Sequence, residues 1–411
     1  MHKKVSVGIA ASLVLIAITI TFSATMILAM NVFSDKVNVQ REATYKKILE
    51  IDKAVSQYFY RHIDGNDLYN SLIGGYMSGL DDPDSMYLTA AEIAQRDQRA
   101  RGTVVSVGLE VVKNENGYFT VTRVYADSSA FLAKMQAGDV ITKIGRVNEE
   151  KQDLFPLSVE EVNQMVNGGV EGDKITLDYT RYNEGEVTST SIDDGLDFKS
   201  IAVRTVEGKK IDNVYYIGVK ALWNTASAQF DKALSEAKSN YAAGNVSGMV
   251  IDLRNVHEGN SLDVVKDMLN RLMPTGTTVL GVYRGGEEKV LCTSDSSEKI
   301  EIPFVVLINQ NTKGYAEILA AVLKENKLCR DVVGFKTAGS GTYRSLIRLS
   351  DGSGIELSVA ELKPPIGPVF HGVGITPVSE VRAPDNFILT DTPATDTDPQ
   401  FAKAVDVLEF I

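Results

Sequence analysis

Cysteine is nearly absent from this chain. Cys292 and Cys329 are the two in 411 residues, and neither stands in a CxxC pair or a Cys/His group at metal-ligand spacing. A disulfide-built scaffold is excluded, and two separately buried thiols are expected in preference to one structural disulfide. Histidine is also sparse: His2, His62, His257 and His371 are scattered, and no HExxH or P-loop string occurs. Neither a metal nor a nucleotide cofactor is expected. Positive charge is in deficit, with 42 Lys and Arg against 54 Asp and Glu and a net charge of -12. A phosphate backbone requires clustered basic residues, so nucleic acid is not an expected partner. Hydrophobic residues make up 44% and charged residues 23%, which is close to the globular average and argues against a largely disordered chain. The length exceeds what one ordinary core serves, so two or three domains are expected.

One stretch lacks charge altogether. After His2, Lys3 and Lys4, residues 5–33 carry no ionisable side chain, and a helix needs about 20 apolar residues to cross a bilayer. A cleaved signal peptide has an apolar centre of roughly 7 to 15 residues, so the length favours an uncleaved anchor. Lysines before the span and an acidic remainder after it place residues 1–4 in the cytoplasm and the bulk of the chain outside the cell membrane, as a single-pass protein.

Beyond the anchor the pattern changes twice. Residues 34–100 read as a small helical region: Ile48, Ile51, Ala54, Val55 and Tyr58 recur at helical spacing, and "DLYNSLIGGYMSGL" is a second helix that ends before Pro83. Residues 101–198 alternate short strands such as "YFTVTRVY" and "DKITLDYTR" with Gly and Asn turns and one helix, "SVEEVNQMV". That mixture suits a small, partly open β-barrel. Residues 199–386 alternate apolar runs of strand length, "GNVSGMVIDLR" and "IPFVVLINQ", with helical "SLDVVKDMLNRLM" and "AEILAAVLKEN", the pattern of an α/β domain. Residues 387–411 are a polar linker followed by a short helix, "PQFAKAVDVLEF".

Several strings carry more than secondary structure. "SVGLEV", at Ser106 to Val111, precedes "SSAFLAKMQAGDVITKIG". A Gly-Leu loop leading into a strand can aim consecutive backbone N–H groups at a carboxylate, and a peptide can then add beside the strand. This segment resembles a PDZ domain, with Ser106, Val107, Gly108 and Leu109 as its carboxylate loop. "GLDDPDSMYLTAAE", "VSGMVIDLRN", "VVLINQNTKGYAEILAAVL", "VVGFKTAGSGTYRSLIRLSDGSGIELSVAEL" and "HGVGITP" follow in the order found in carboxyl-terminal processing, or tail-specific, serine proteases. The resemblance runs from about Leu80 to Pro377. Together with the anchor and the small helical region read above, it implies an α+β multidomain protein: a transmembrane helix, a small helical region, a PDZ-like partly open barrel and a crotonase-like α/β peptidase core.

Members of that family cleave with a serine whose proton is taken by a lysine. A serine hydroxyl is a weak nucleophile without a base in reach, and two N–H groups must hold the oxyanion. Matched to the family's "VNxxSASASE", counting back from Glu317 places Gly314 at the nucleophile. Matched to "GxxTFGKG", "GFKTAGSG" places Ser340 at the lysine. Arg344 stands where a glutamine orients that lysine, and the oxyanion turn "NPGG" corresponds to Val256, His257, Glu258 and Gly259. A dyad with exchanged roles, Lys313 and Ser340, is the other arrangement to weigh. Neighbouring residues on a turn point in different directions and the oxyanion groups would still aim at position 314, so Lys313 is read as a solvated loop residue.

The resemblance, with these departures, implies a membrane-anchored extracytoplasmic pseudoprotease that binds C-terminal tails of exported or membrane proteins without cutting them. The alternative is an active serine-type endopeptidase of the same family. Family members often assemble through terminal helices, so a homodimer, or pairing with an active relative, is also implied.

Overall fold

Two layers of helix enclose a sheet whose central strands are buried along their whole length. The computed structural model describes residues 43–409, apart from 62–64, 115, 126, 184–185, 258, 260, 297–299, 385–386, 388 and 391. The expected anchor at 5–33 and its stub at 1–4 lie outside the described residues. Among those described, no helix is long and apolar enough to cross a membrane. The chain divides into two units between Leu72 and Ile73.

In the first unit, residues 43–58 are helical and helix Gly65–Ser78 begins. Helical spacing was correctly read here, but not a buried stripe: Ile48 and Val55 are half-buried, whereas Ile51 and Tyr58 are exposed.

The second unit opens with the turn "DDPDSMYL", which feeds strand Met86–Leu88 into antiparallel pairing with strand Gly354–Lys363. Helix Ala90–Ala100 follows, started by a reciprocal capping box between Thr89 and Glu92. The strand-rich segment builds a six-stranded sheet in the order Leu109–Lys113, Phe119–Val124, Val140–Arg146, Lys174–Asn183, Glu186–Asp197, with Gln152–Asp153 paired to the third. Alternation explains its core: Phe119 and Val121 point inward with Leu109, Val111, Ile141, Ile144 and Leu177, and helix Val159–Asn167 covers them through Val162 and Val166. Strands Thr103–Ser106 and Lys199–Ala202 pair where the segment enters and leaves.

The α/β domain carries a six-stranded sheet: Val206–Ile211, Val214–Val219, Gly248–Asp252, Phe304–Ile308, Asp331–Gly334, Ser379–Glu380. Neighbours are parallel from the second strand onward. Strands Gly248–Asp252 and Phe304–Ile308 are buried at every position, as a parallel sheet covered on both faces requires. Ile217, Met249, Ile251, Phe304 and Val306 pack against helices Thr225–Ala242, Leu262–Leu272 and Tyr315–Glu325. The alternate residues, Tyr216, Val250, Val305 and Leu307, pack against Phe401, Ala404 and Leu408 of the C-terminal helix Pro399–Glu409. Cys292 is buried and Cys329 half-buried, both as free thiols; burial pushes them up to about 11 and about 12 respectively.

A buried ion cluster holds that C-terminal helix. The Arg254 guanidinium, 3% exposed, donates to Asp252 at 2.7 Å and to Asp398 and Gln400 at 3.0 Å each. Burial alone would lower its pKa, but the two carboxylates beside it raise it above the ordinary arginine value. Removing the cation would strand both carboxylates in the interior, an effect worth about 3–5 kcal/mol. Arg254→Ala is therefore expected to lower unfolding free energy by about that much in chemical denaturation. Arg271→Ala, which breaks a half-exposed pair with Asp231, should cost no more than about 1 kcal/mol.

Candidate functional site

The site forms where three turns meet beyond the ends of the parallel strands. Strand Phe304–Ile308 runs through residues 309–313 into helix Tyr315–Glu325, and Gly314 is the N-cap at φ 63° and ψ -121°. A residue with a side chain is strained in that region, so the backbone keeps the sharp strand-to-helix turn at which nucleophiles are presented. Here it presents none, since Gly314 has no side chain.

Glu317 ties the turns together. Its carboxylate is fully buried and accepts the backbone N–H of Gly314 at 3.0 Å, of Gly339 at 2.7 Å and of Ser340 at 2.8 Å, besides the Thr337 hydroxyl. Burial raises its pKa, and the four hydrogen bonds oppose that shift in part. Glutamate at the third helical position caps its own helix; this one also clamps the loop that carries Ser340. Sequence reasoning used Glu317 only as a counting mark and missed this role. The pattern of an acid three residues after the turn glycine was the available signal.

Position 340 is engaged by a residue that sequence reasoning did not single out. The Ser340 hydroxyl donates to Asp84 at 2.8 Å, and Thr342 donates to the same carboxylate at 2.7 Å. Asp84 belongs to the "DDPDS" turn, which the neighbouring Asp82 holds in shape by accepting the Asp84 N–H at 3.0 Å and the Ser85 hydroxyl at 2.5 Å. Burial alone would raise the Asp82 pKa, yet hydrogen bonds led by Ser85 leave it lowered overall. A contact 256 positions apart along the chain leaves no periodic trace in sequence.

Arg344 fills the ground in front of Gly314. A Cβ built on Gly314 would stand 3.4 Å from the Arg344 Nη2 and 3.9 Å from the Ser340 carbonyl oxygen. The guanidinium lies 5.8 Å from the centre of the Tyr315 ring, and its Nε is 3.8 Å from Glu356. Glu356 in turn receives two hydrogen bonds from Arg96, at 2.7 and 3.2 Å.

The remaining candidates fall around this centre. Val256 is buried and its carbonyl accepts the Lys313 N–H at 2.9 Å. His257 is exposed, with Nδ1 2.8 Å from the Asn255 carbonyl. Gly259 has φ 97° and a Cβ there would come within 2.3 Å of the Leu222 backbone, so only glycine fits. Glu258 lies outside the described residues. Lys313 is exposed, and among the described residues no hydrogen bond joins it to Ser340. The structure thus brings Gly314, Ser340 and Arg344 together. At this centre position 314 carries no hydroxyl and lies against a guanidinium, and the hydroxyl of Ser340 is bonded to the Asp84 carboxylate.

Ser106, Val107, Gly108 and Leu109 lie apart, in the strand-rich segment, and are buried. Their N–H groups were expected to point into an open concavity. Instead Val107 N–H donates to the Val166 carbonyl at 3.3 Å and Gly108 N–H to the Ser106 hydroxyl at 2.9 Å. The last carbonyls of a helix lack partners within it, and helix Val159–Asn167 finds one in this loop.

Residues 213–381 match the model of peptidase family S41. A probable CtpA-like serine protease of Staphylococcus epidermidis is 26% identical over 397 residues, covering 96% of this chain and 77% of that protein. Another, of Staphylococcus aureus, is 27% identical over 384 residues, covering 93% and 74%. Among solved structures, a photosystem II D1 C-terminal processing protease superposes with a TM-score of 0.50 at 21% identity, over 81% of this chain and 86% of that one. A putative S41 protease from Bacteroides fragilis gives a TM-score of 0.54 at 17% identity, over 82% and 90%. These structures share its α+β fold. The domain at 213–381 thus matches peptidase family S41, and the chain as a whole is similar to proteins described as probable CtpA-like serine proteases.

Proposed function

We propose that this protein is a membrane-anchored, extracytoplasmic member of the family that binds the C-terminal tails of exported or membrane proteins and does not cleave them. The observation that carries the reading is the pairing at the site: Gly314 offers no hydroxyl, Arg344 lies against that position, and the Ser340 hydroxyl is committed to Asp84. Peptide capture draws on backbone groups and a PDZ-like segment at 101–198, with Ser106 to Leu109 as the carboxylate loop. It does not draw on the missing side chains. The anchor rests on the uncharged run at 5–33. A crotonase-like core at 199–386 and a homodimer, or a pairing with an active relative, belong to the same reading.

The second reading is a working serine-type endopeptidase. What favours it is the description of the relatives, which are probable CtpA-like serine proteases. The two separate in one assay: full-length protein in detergent, incubated with an unstructured peptide bearing a free C-terminus.

No cleavage is expected from the natural sequence, and none from Gly314→Ser or Ser340→Lys alone. The double variant should also fail, for a reason that lies in Asp84. The amine introduced by Ser340→Lys would meet the carboxylate that now accepts the serine hydroxyl, and an opposite charge at that range raises an amine's pKa. A protonated amine takes no proton from serine. Cleavage should appear only when Asp84→Asn, Arg344→Gln and Glu258→Gly join the double variant. Hydrolysis by the natural protein that vanishes with Ser340→Ala would overturn the reading in favour of the exchanged dyad.

Localisation is tested by fractionation. The full-length chain should remain in the membrane after carbonate extraction, and protease added from outside should remove most of it. A soluble product beginning after about Ala29 would identify residues 5–33 as a signal peptide.

A further inference from the structure

We propose that the carboxylate loop is held shut by the helix beside it, whose C-terminal turn occupies the loop as an internal stand-in for a peptide's terminus. The proposal rests on the tail-binding reading above and concerns how that site is regulated. Three contacts make the closure. Val107 N–H donates to the Val166 carbonyl at 3.3 Å, and the Ser106 hydroxyl reaches the same carbonyl at 3.2 Å and the Asn167 Oδ1 at 2.6 Å. The Ser106 oxygen accepts the Gly108 N–H at 2.9 Å, which carries the closure to the next donor.

The carbonyl and side-chain oxygens of the helix end therefore lie against donors that a terminal carboxylate would use. They are neutral acceptors. A carboxylate at the same N–H groups makes charge-assisted bonds roughly twice as strong, so an arriving tail competes on favourable terms once the helix end lifts. Packing shows why it must lift: Leu109, Val162 and Val166 are all fully buried in one cluster, which joins strand Leu109–Lys113 to helix Val159–Asn167.

The rest of the loop is braced and is not the part that moves. Ala130 N–H and the Ser129 hydroxyl both donate to the Val107 carbonyl, at 3.0 and 3.1 Å. A Cβ on Gly108 would lie 2.0 Å from that of Ser128, so this face admits only glycine. The helix end has the freer exit. Gly168 and Gly169 follow Asn167 directly, and glycine accepts a wide change of backbone angles. The closed state is fitted closely there too, since a Cβ on Gly169 would lie 2.6 Å from the Phe198 ring.

The test measures binding of a fluorescein-labelled decapeptide ending in a free valine, and of its C-terminal amide, to the full-length protein and to Asn167→Ala. Removing the acceptor nearest Ser106 weakens the closure. Asn167→Ala should bind the free peptide tighter by on the order of 5- to 10-fold, the equivalent of one neutral hydrogen bond, with no gain for the amide. Because the substitution could disturb the fold, hydrogen exchange on the natural protein provides an independent reading. Adding the free peptide should speed exchange across residues 164–167 while the amides of Val107 and Gly108 stay protected. Equal affinity of both proteins for the free peptide, with the amide weaker and no change at 164–167, overturns the closure and leaves tail binding standing. Failure of both proteins to distinguish the free peptide from its amide overturns both.

Discussion

The geometry of the site depends on one buried carboxylate. Glu317 has no exposed surface, and its four donors come from three places: the turn at Gly314, Thr337, and the loop at Gly339 and Ser340. A buried charge is tolerated only when it is fully hydrogen-bonded, so the turns are held where that carboxylate needs them. Thr337 extends the grip by accepting the Ile375 N–H at 2.6 Å. This clamp requires only backbone donors from positions 314 and 340, so it is indifferent to their side chains. The turns are therefore held alike whatever side chains stand at those two positions.

Around the clamp, charge has been rearranged. Arg96, Glu356 and Arg344 form a line that ends in front of Gly314, while Asp84 faces Ser340 and Thr342. The arrangement puts a cation beside position 314 and an anion beside position 340. The cation lies within van der Waals range of a Cβ at position 314, and the anion would raise the pKa of an amine at position 340. The charge pattern at the site is thus set by several side chains, of which Asp84 is contributed by a turn far away in sequence.

The second anchoring device serves the fold instead of the site. Arg254 links the end of strand Gly248–Asp252 to Asp398 and Gln400 at the start of the C-terminal helix. The helix then covers the sheet face opposite to helix Tyr315–Glu325. The segment "VIDLRN" therefore serves the fold in its strand and first turn residues. Asp252 and Arg254 hold the third layer, and the turn that follows them borders the site.

The sequence by itself determined the layers and the order of the elements. The continuous apolar runs "GMVID" and "FVVLI" became fully buried parallel strands because a strand covered on both faces leaves no position for water. The alternation in "YFTVTRVY" likewise placed Phe119 and Val121 inward. The sequence also named Gly314, Ser340 and Arg344 as neighbours, since ordered motifs fix register. Only the tertiary structure decided what each of them touches. Asp84 reaches Ser340 across 256 positions, and the Val166 carbonyl reaches Val107 across a packed helix. Such contacts depend on where a buried polar group finds its partner in space, a choice made by packing and desolvation that no local pattern records.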